Sequence, residues 1–291
     1  MKNSKKRKKS VAEKEYVYYP GCSLEGTAIE YEMSVRLVLK TLGVKLKEPD
    51  DWSCCGSSCA HCTNEFLSVA LPARNLFLAE RAHQDLVTPC AACFSRLKAA
   101  EKALIGESKV DVSIPFKGEI NILHLLDFFS QKEVRERIKQ HIKKPLVNLK
   151  VVSYYGCLIV RPPRITDADH WEDPQALDTL ISLLGGESIF WPYKTECCGG
   201  SLVLTNVDII RRLIGRLLDM AKEAEADCIV TACPLCQTNL DTRQEEVGSI
   251  AGIRYGLPIF YFTELMGVAF GYKAVGKWFR RHLVDPRPLL K

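Results

Sequence analysis

Short runs of β-branched and aromatic residues alternate along the chain with longer stretches whose apolar positions recur at helical spacing. The runs 16–19, 86–88, 150–155 and 228–231 predict strands, and each stops close ahead of a cysteine. Helices are predicted over 28–42, 65–83, 175–184 and 207–225, with Asn64 and either Thr205 or Asn206 placed to cap two of them. Residues 101–148 predict a helical connector that closes near Pro145. Strands alternating with helices predict parallel α/β units. In such sheets ligands sit where strands end and helices begin, which is where the cysteines fall.

The cysteines repeat. Cys22 is followed after 31 residues by Cys54-Cys55-Gly56, and 34 residues separate Cys55 from Cys90 in Cys90-x-x-Cys93. Cys157 is followed after 39 residues by Cys197-Cys198-Gly199, and again 34 residues separate Cys198 from Cys233 in Cys233-x-x-Cys236. The context repeats as well. Tyr18-Tyr19-Pro20-Gly21-Cys22 echoes Tyr154-Tyr155-Gly156-Cys157, and Leu86-Val87-Thr88-Pro89-Cys90 echoes Ile229-Val230-Thr231-Ala232-Cys233. An internal duplication accounts for this, and it fixes the fold class as α/β, two pseudo-symmetric halves with parallel strands plus the connector. The expected divisions are a disordered basic tail over 1–15, a first unit over 16–148 and a second over 149–291.

Charge alters one part of this picture. The net charge is +5, but residues 1–10 hold six basic residues and no acid, so the rest of the chain carries 34 basic against 35 acidic residues. The basic run reads as a solvated appendage, and a nearly neutral body argues against nucleic acid as a partner. No stretch of about 18 apolar residues is present to span a bilayer. A polar and charged stretch follows the basic run where a secretory signal has an apolar region, so a cytoplasmic location is expected.

Thirteen cysteines without such a signal point to metal or redox chemistry and away from a disulfide framework. Iron–sulfur clusters are held by cysteine thiolates. A Cys-x-x-Cys pair at a helix start sets two sulfurs on one side of a turn, where the helix N-terminus favours the thiolate. Cys54 and Cys55 would point to opposite faces of a regular strand. They reach one site only if the backbone turns sharply, and Gly56, like Gly199-Gly200, supplies that freedom. Five cysteines per half exceed a four-thiolate zinc site and suit either a larger, open cluster or four ligands and a spare. Either Cys-x-x-Cys alone would read as a zinc knuckle or a dithiol. The doubled Cys-Cys pattern favours iron–sulfur, with a zinc-stabilised interaction protein as the alternative that metal analysis separates. Cys55-x3-Cys59-x2-Cys62 has radical-SAM spacing, but Leu202 and Thr205 stand at the matching places of the second copy. Cys59 and Cys62 are therefore extra to the repeat, and Cys228 reads as a buried strand residue. His61 is the one histidine near a motif, and it reads as a surface-loop residue. The chain shows no Walker A loop, Gly-x-Gly-x-x-Gly or Gly-x-Ser-x-Gly.

The duplicated Cys-x31–39-Cys-Cys-Gly…Cys-x-x-Cys pattern resembles the CCG-domain proteins, most of all the B subunit of heterodisulfide reductase. The resemblance runs from about Val17 to the C-terminus and includes the closing stretch from His282 to Leu290. It implies an oxidoreductase acting on sulfur groups, with two non-cubane [4Fe-4S] clusters. One would be held by Cys22, Cys54, Cys55, Cys90 and Cys93, the other by Cys157, Cys197, Cys198, Cys233 and Cys236. It also implies a small disulfide substrate between the clusters, electrons from a ferredoxin-like C subunit, and a flavin-bearing A subunit upstream. A membrane contact would come only through partners. Two features depart from the family's pattern: the Cys59/Cys62 pair, and Leu158 after Cys157, where a polar residue is expected. Other CCG proteins use the same repeat to pass electrons from a flavin dehydrogenase to a quinone or a partner, the second reading of this chain.

Overall fold

The computed structural model describes residues 14–57, 60–106, 110–203 and 205–290. The first half runs β1 (Glu15–Tyr18), α1 (Cys22–Glu25), α2 (Ile29–Thr41), β2 (Lys45–Lys47), α3 (Ala60–Thr63), α4 (Glu65–Arg81), β3 (Leu86–Thr88), α5 (Ala91–Ile105), β4 (Ile122–His124), α6 (Leu125–Ser130) and α7 (Lys132–His141). The second runs β5 (Lys150–Tyr154), α8 (Pro163–Thr166), α9 (Ala176–Leu183), β6 (Glu187–Ile189), α10 (Val207–Glu223), β7 (Cys228–Thr231), α11 (Pro234–Thr242), α12 (Gln244–Ala251), β8 (Ile259–Tyr261), α13 (Phe262–Ala269) and α14 (Val275–Phe279).

Each half builds one four-stranded parallel sheet, ordered β2-β1-β3-β4 and β6-β5-β7-β8. The register repeats too: Val17 and Tyr18 face Leu86 and Val87, as Val152 and Ser153 face Ile229 and Val230. The duplicated α/β class expected from the cysteine repeat is therefore the class observed. Asn64 caps α4 by accepting from the Leu67 amide at 2.9 Å. Asn206, not Thr205, caps α10 by accepting from Ile209 at 3.3 Å. Both helices are 17 residues long.

Two expectations change. The 101–148 segment is not wholly helical. It contributes β4, whose Ile122 and His124 pair with Leu86 and Thr88, and so completes the first sheet before α6 and α7. It is an edge strand, and its pairing with β3 sets it in place. The other change is that β1 starts at Glu15, inside the stretch assigned to the tail; residues 1–13 lie outside the described ones.

The halves meet reciprocally. By chain order α2 corresponds to α9, and α6 to α13. α13 packs on α2 while α6 packs on α9, so each half lends the same helix to the other. Likewise α1, which begins at Cys22, packs on α11, and α8, which follows Cys157, packs on α5. This is the self-complementary pattern of a two-fold dimer contained in one chain. At its centre Tyr31 stacks on Tyr261 with ring centroids 4.0 Å apart, and Ser34 Oγ lies 2.6 Å from Thr263 Oγ1. One apolar core runs through both halves, from Tyr16 and Tyr31 to Trp278. A smaller cluster encloses Cys55, Cys90 and Cys93, with Leu158 and Leu235 of the second half packed against it.

Candidate iron–sulfur sites

In each half the first cysteine follows the central strand, β1 or β5. The Cys-Cys pair lies in the loop after the short outer strand, β2 or β6. Cys90 and Cys233 are the N-cap residues of α5 and α11, with Cys93 and Cys236 one turn on. Two contacts repeat between the halves. Cys55 Sγ lies 3.4 Å from Cys93 Sγ, and Cys198 Sγ 3.5 Å from Cys236 Sγ. The Gly56 amide donates to Cys54 Sγ at 3.4 Å and the Gly199 amide to Cys197 Sγ at 3.3 Å. Cys157 Sγ is 4.0 Å from Cys197 Sγ. Gly56 and Gly199 have φ of +74° and +77°, the sharp turn that lets adjacent cysteines face one site.

Two further pairs support these loops. Gly21 and Gly156 sit so close to the sulfurs that a Cβ would lie 2.7 Å from Cys93 Sγ and 2.9 Å from Cys236 Sγ. The Tyr19 hydroxyl donates at 2.8 Å to the Ser53 carbonyl, and Tyr154 donates at 2.8 Å to the Glu196 carbonyl, each the residue before a Cys-Cys pair. Tyr19 and Tyr154 are thus counterparts, and Tyr155 occupies the place of Pro20. The repeated tyrosines were the signal in the sequence, but side-chain hydrogen bonds across 34 and 42 residues were not readable there.

The thiols are strongly differentiated. Contacts with the Cys54 and Cys93 thiols outweigh burial at Cys55 and hold it down at about 3. Cys54 and Cys93, in contact with it, are raised. In the second half Cys197 accepts from Cys157 and is lowered to about 6. Cys233 is lowered by the Cys236 thiol, helped by the backbone amides of Cys236, Leu235 and Ala91. Cys236 is raised by its contacts with the Cys198 and Cys233 thiols and by burial. Each half therefore stabilises thiolate, the ligating form, inside a set of thiol donors. Cys55, Cys90, Cys93, Cys198, Cys233 and Cys236 are buried, Cys22, Cys54 and Cys197 are exposed, and Cys157 is half-buried.

Among the described residues no group of three or more His, Cys, Asp or Glu side chains is placed to hold a single metal ion. The donor chemistry fits an iron–sulfur cluster: the sulfurs gather around loops whose glycines leave no Cβ against them, and backbone amides already point at sulfur. Cys62 is exposed on α3 and Cys228 is buried in β7, where burial pushes its thiol up. Cys59 and the side chain of His61 lie outside the described residues.

His124 ties the sites together. Its Nε2 lies 3.1 Å from the Pro89 carbonyl, and the ring also bonds the Ala232 carbonyl; these two carbonyls precede Cys90 and Cys233. Its Nδ1 accepts from the Leu126 amide at 3.1 Å, so Nε2 carries the proton. Burial pushes the ring down to about 4 and keeps it neutral. An open groove of about 640 Å³ also runs between the halves, bounded by Phe94, Lys98 and Asp127 on one side and by Ile159 and His170 on the other. None of the ten cysteines lines it.

Two thiolate sites on duplicated parallel sheets define an iron–sulfur oxidoreductase subunit of the electron-transfer kind. The chain belongs to the CCG family of cysteine-rich domains, whose model matches residues 16–98 and 151–241. It is 31% identical to the 8-methylmenaquinol:fumarate reductase membrane anchor subunit of Wolinella succinogenes, over 95% of this chain and 99% of that one. It is 29% identical to the B subunit of the ferredoxin:CoB-CoM heterodisulfide reductase of Methanosarcina mazei, over 87% and 88%. Among solved structures, a hypothetical protein from Helicobacter pylori shares the fold at a TM-score of 0.73 and 11% identity; the match covers 94% of this chain and 52% of that one. No helix among the described residues is long and apolar enough to cross a membrane.

Proposed function

We propose that the chain reduces a small disulfide as the B subunit of a heterodisulfide reductase-type complex, using two non-cubane [4Fe-4S] clusters. Cys22, Cys54, Cys55, Cys90 and Cys93 hold one, and Cys157, Cys197, Cys198, Cys233 and Cys236 hold the other. The observation that carries the reading is the reciprocal interface, which sets α1 with Cys22 against α11 and clasps the Cys90 and Cys233 loops through His124.

Reducing a disulfide to two thiols takes two electrons and two protons. Iron–sulfur clusters, when bound, deliver electrons singly, so two of them on either side of one substrate meet that demand. The chain's own residues fix the geometry. Tyr19 and Tyr154 hold the Cys-Cys turns, Gly56 and Gly199 amides polarise Cys54 and Cys197, and His124 fixes the distance between the loops. Access for a substrate sulfur is from the side of Cys22, Cys54 and Cys197, the exposed sulfurs, and not from the cysteine-free groove. Electrons arrive from a ferredoxin-like partner with a flavin protein behind it, in the cytoplasm or at a membrane surface through those partners.

A second reading, electron transfer between a quinone and a flavin dehydrogenase, is favoured by the whole-length match to the Wolinella protein. One experiment separates the two. Anaerobically purified chain with its partners is assayed with disulfides and with quinols, as wild type and as Cys198→Ala. Disulfide turnover that disappears in the variant while the first site keeps its iron supports the proposal. Normal disulfide turnover in that variant, or turnover with quinol alone, replaces it by the second reading.

A further inference from the structure

The body is pseudo-two-fold, but one segment has no copy. From α14 onward the chain packs on α13 and, across the interface, on α2. The side chain of His282 is fully buried there. Its Nε2 lies 3.0 Å from Glu264 Oε1, its Nδ1 lies 3.5 Å from Gln237 Nε2, and its ring centroid is 6.2 Å from that of Phe260. The next two amides, of Leu283 and Val284, donate to the Asp241 carboxylate at 2.7 and 3.1 Å. Counted from Cys93 and Cys236, Gln237 and Asp241 are the counterparts of Phe94 and Lys98. Counted from the last strand residues His124 and Tyr261, Phe260 and Glu264 are the counterparts of Leu123 and Asp127. Those four first-half residues all line the groove of about 640 Å³. The groove is the first half's copy of the slot that the C-terminal segment fills in the second.

The groove keeps the slot's anchor and leaves it uncovered. Asp127 Oδ2 accepts from the His124 amide at 3.1 Å, as Glu264 Oε2 accepts from the Tyr261 amide at 3.0 Å. Glu264 gives its second oxygen to His282 and is 0% exposed. Asp127 is exposed, and among the described residues no group bonds its second oxygen. Lys98, which stands where Asp241 does, is already paired with Glu101 and Asp167. Phe94, Leu123 and Leu126 add apolar lining. Helix α7 does not cover the slot as α14 does: it turns to α2 of its own half, where Arg137 donates to the Leu42 carbonyl. A carboxylate with an uncommitted oxygen beside apolar walls selects a cationic donor carried on an apolar segment.

We propose that this groove docks a segment of a partner protein that carries a basic side chain with apolar neighbours, the basic group on Asp127 and the neighbours on Phe94 and Leu123. The chain's own C-terminal segment shows the mode, with His282 against the Phe279 ring and Leu283 next to it. One difference sets what the occupant lacks. A Cβ on Gly267 would lie 2.4 Å from the Trp278 ring, and the counterpart of Gly267 is Ser130. The partner segment therefore carries no indole at that place. No sulfur takes part, so the docking stands apart from the cluster reading.

The probe is a fluorescein-labelled synthetic peptide of residues 274–286 of this chain carrying Trp278→Ala, offered to the anaerobically purified full chain. Fluorescence anisotropy should show saturable binding. Asp127→Asn, which keeps an acceptor for the His124 amide, should weaken it about tenfold. Thr179→Trp, which fills the groove from its exposed place on α9, should abolish it. A peptide that also carries His282→Glu should not bind, and Glu264→Gln in the chain should leave the affinity unchanged. No saturable binding, or binding indifferent to both groove variants, overturns the proposal. Binding lost in Glu264→Gln overturns it too, since the peptide then exchanges with the chain's own segment. So does binding that appears only after residues 1–13 are removed, or a dimer of the full chain that Thr179→Trp splits. Those results give the groove to the N-terminal residues or to a second copy.

Discussion

Replacing Gly21 by alanine tests the geometry of the first site most directly. The position has φ of +74° and ψ of 160°, a conformation essentially reserved for glycine, where an L-residue with a Cβ costs about 1–3 kcal/mol. The new Cβ would lie 2.7 Å from Cys93 Sγ, against roughly 3.5–4.0 Å for an unstrained contact, so sulfur and Cβ must separate by about 1 Å. In the metal-free chain the Cys93 thiol can swing about its one side-chain torsion, and the variant loses little beyond the backbone strain. A ligand, however, is held to within about 0.2 Å of its bonding distance, some five times less than the required shift. Gly252→Ala is the control, since Gly252 has φ of +68° with nothing within 4 Å of a Cβ. Anaerobic urea unfolding of metal-free protein should show Gly252→Ala, in the left-handed region, destabilised by about 1–2 kcal/mol, and Gly21→Ala, in the glycine-only region, by about 1–3 kcal/mol. Iron analysis should show wild-type loading for Gly252→Ala and loss of about half the iron for Gly21→Ala. Gly156→Ala, with 2.9 Å to Cys236 Sγ, should lose the other half. Full loading of Gly21→Ala would refute the claim that Cys93 is a ligand held where the structure places it.

Two further outcomes are expected. Burial opposes the charged ring of His282, but Glu264 at 3.0 Å, with Asp241 and Glu30 beyond it, lifts it to about 9 from an ordinary 6.5. A raised folded-state value means stabilisation that is complete below about pH 6.5 and lost as pH climbs through 9, of order 3 kcal/mol. Urea midpoints at pH 6 and pH 9.5 should therefore converge in His282→Asn relative to wild type, and an equal loss in both proteins would dismiss the pair's role. Cys59→Ser and Cys62→Ser should both retain full iron, because Leu202 and Thr205 stand at the matching places of the second copy; loss of one whole site's iron in either would show the ligand sets to be misassigned.

Much of the fold was legible because the chain states it twice. The strands 86–88 and 228–231 and the caps Asn64 and Asn206 follow from local patterns, and the repeat pairs Cys55 with Cys93 and Cys198 with Cys236 at matching distances. The edge strands β2, β4, β6 and β8 were not legible, since their pairing is imposed by the inner strands of each sheet. His124 was hidden for the same reason. It ends a strand inside a segment that reads as helical, and its partners at positions 89 and 232 come from both halves. The correspondence of Tyr19 with Tyr154 was blurred by Pro20, for which Tyr155 substitutes at the same distance from the next cysteine.

Neither half closes its own core, because α2 and α9 each find their cover on the opposite side. A single half made alone would present that face bare and would meet a second copy of itself in the same arrangement. In such a self-paired ancestor every substitution falls on both sides of the axis at once, and the two cysteine loops can only change together. Joining the copies through the segment that leads into β5 removes that tie. Proline can then enter at 234 while alanine stays at 91, and a proline stands at 20 where its counterpart is Tyr155. Fusion is what allows a symmetric body to acquire a front and a back.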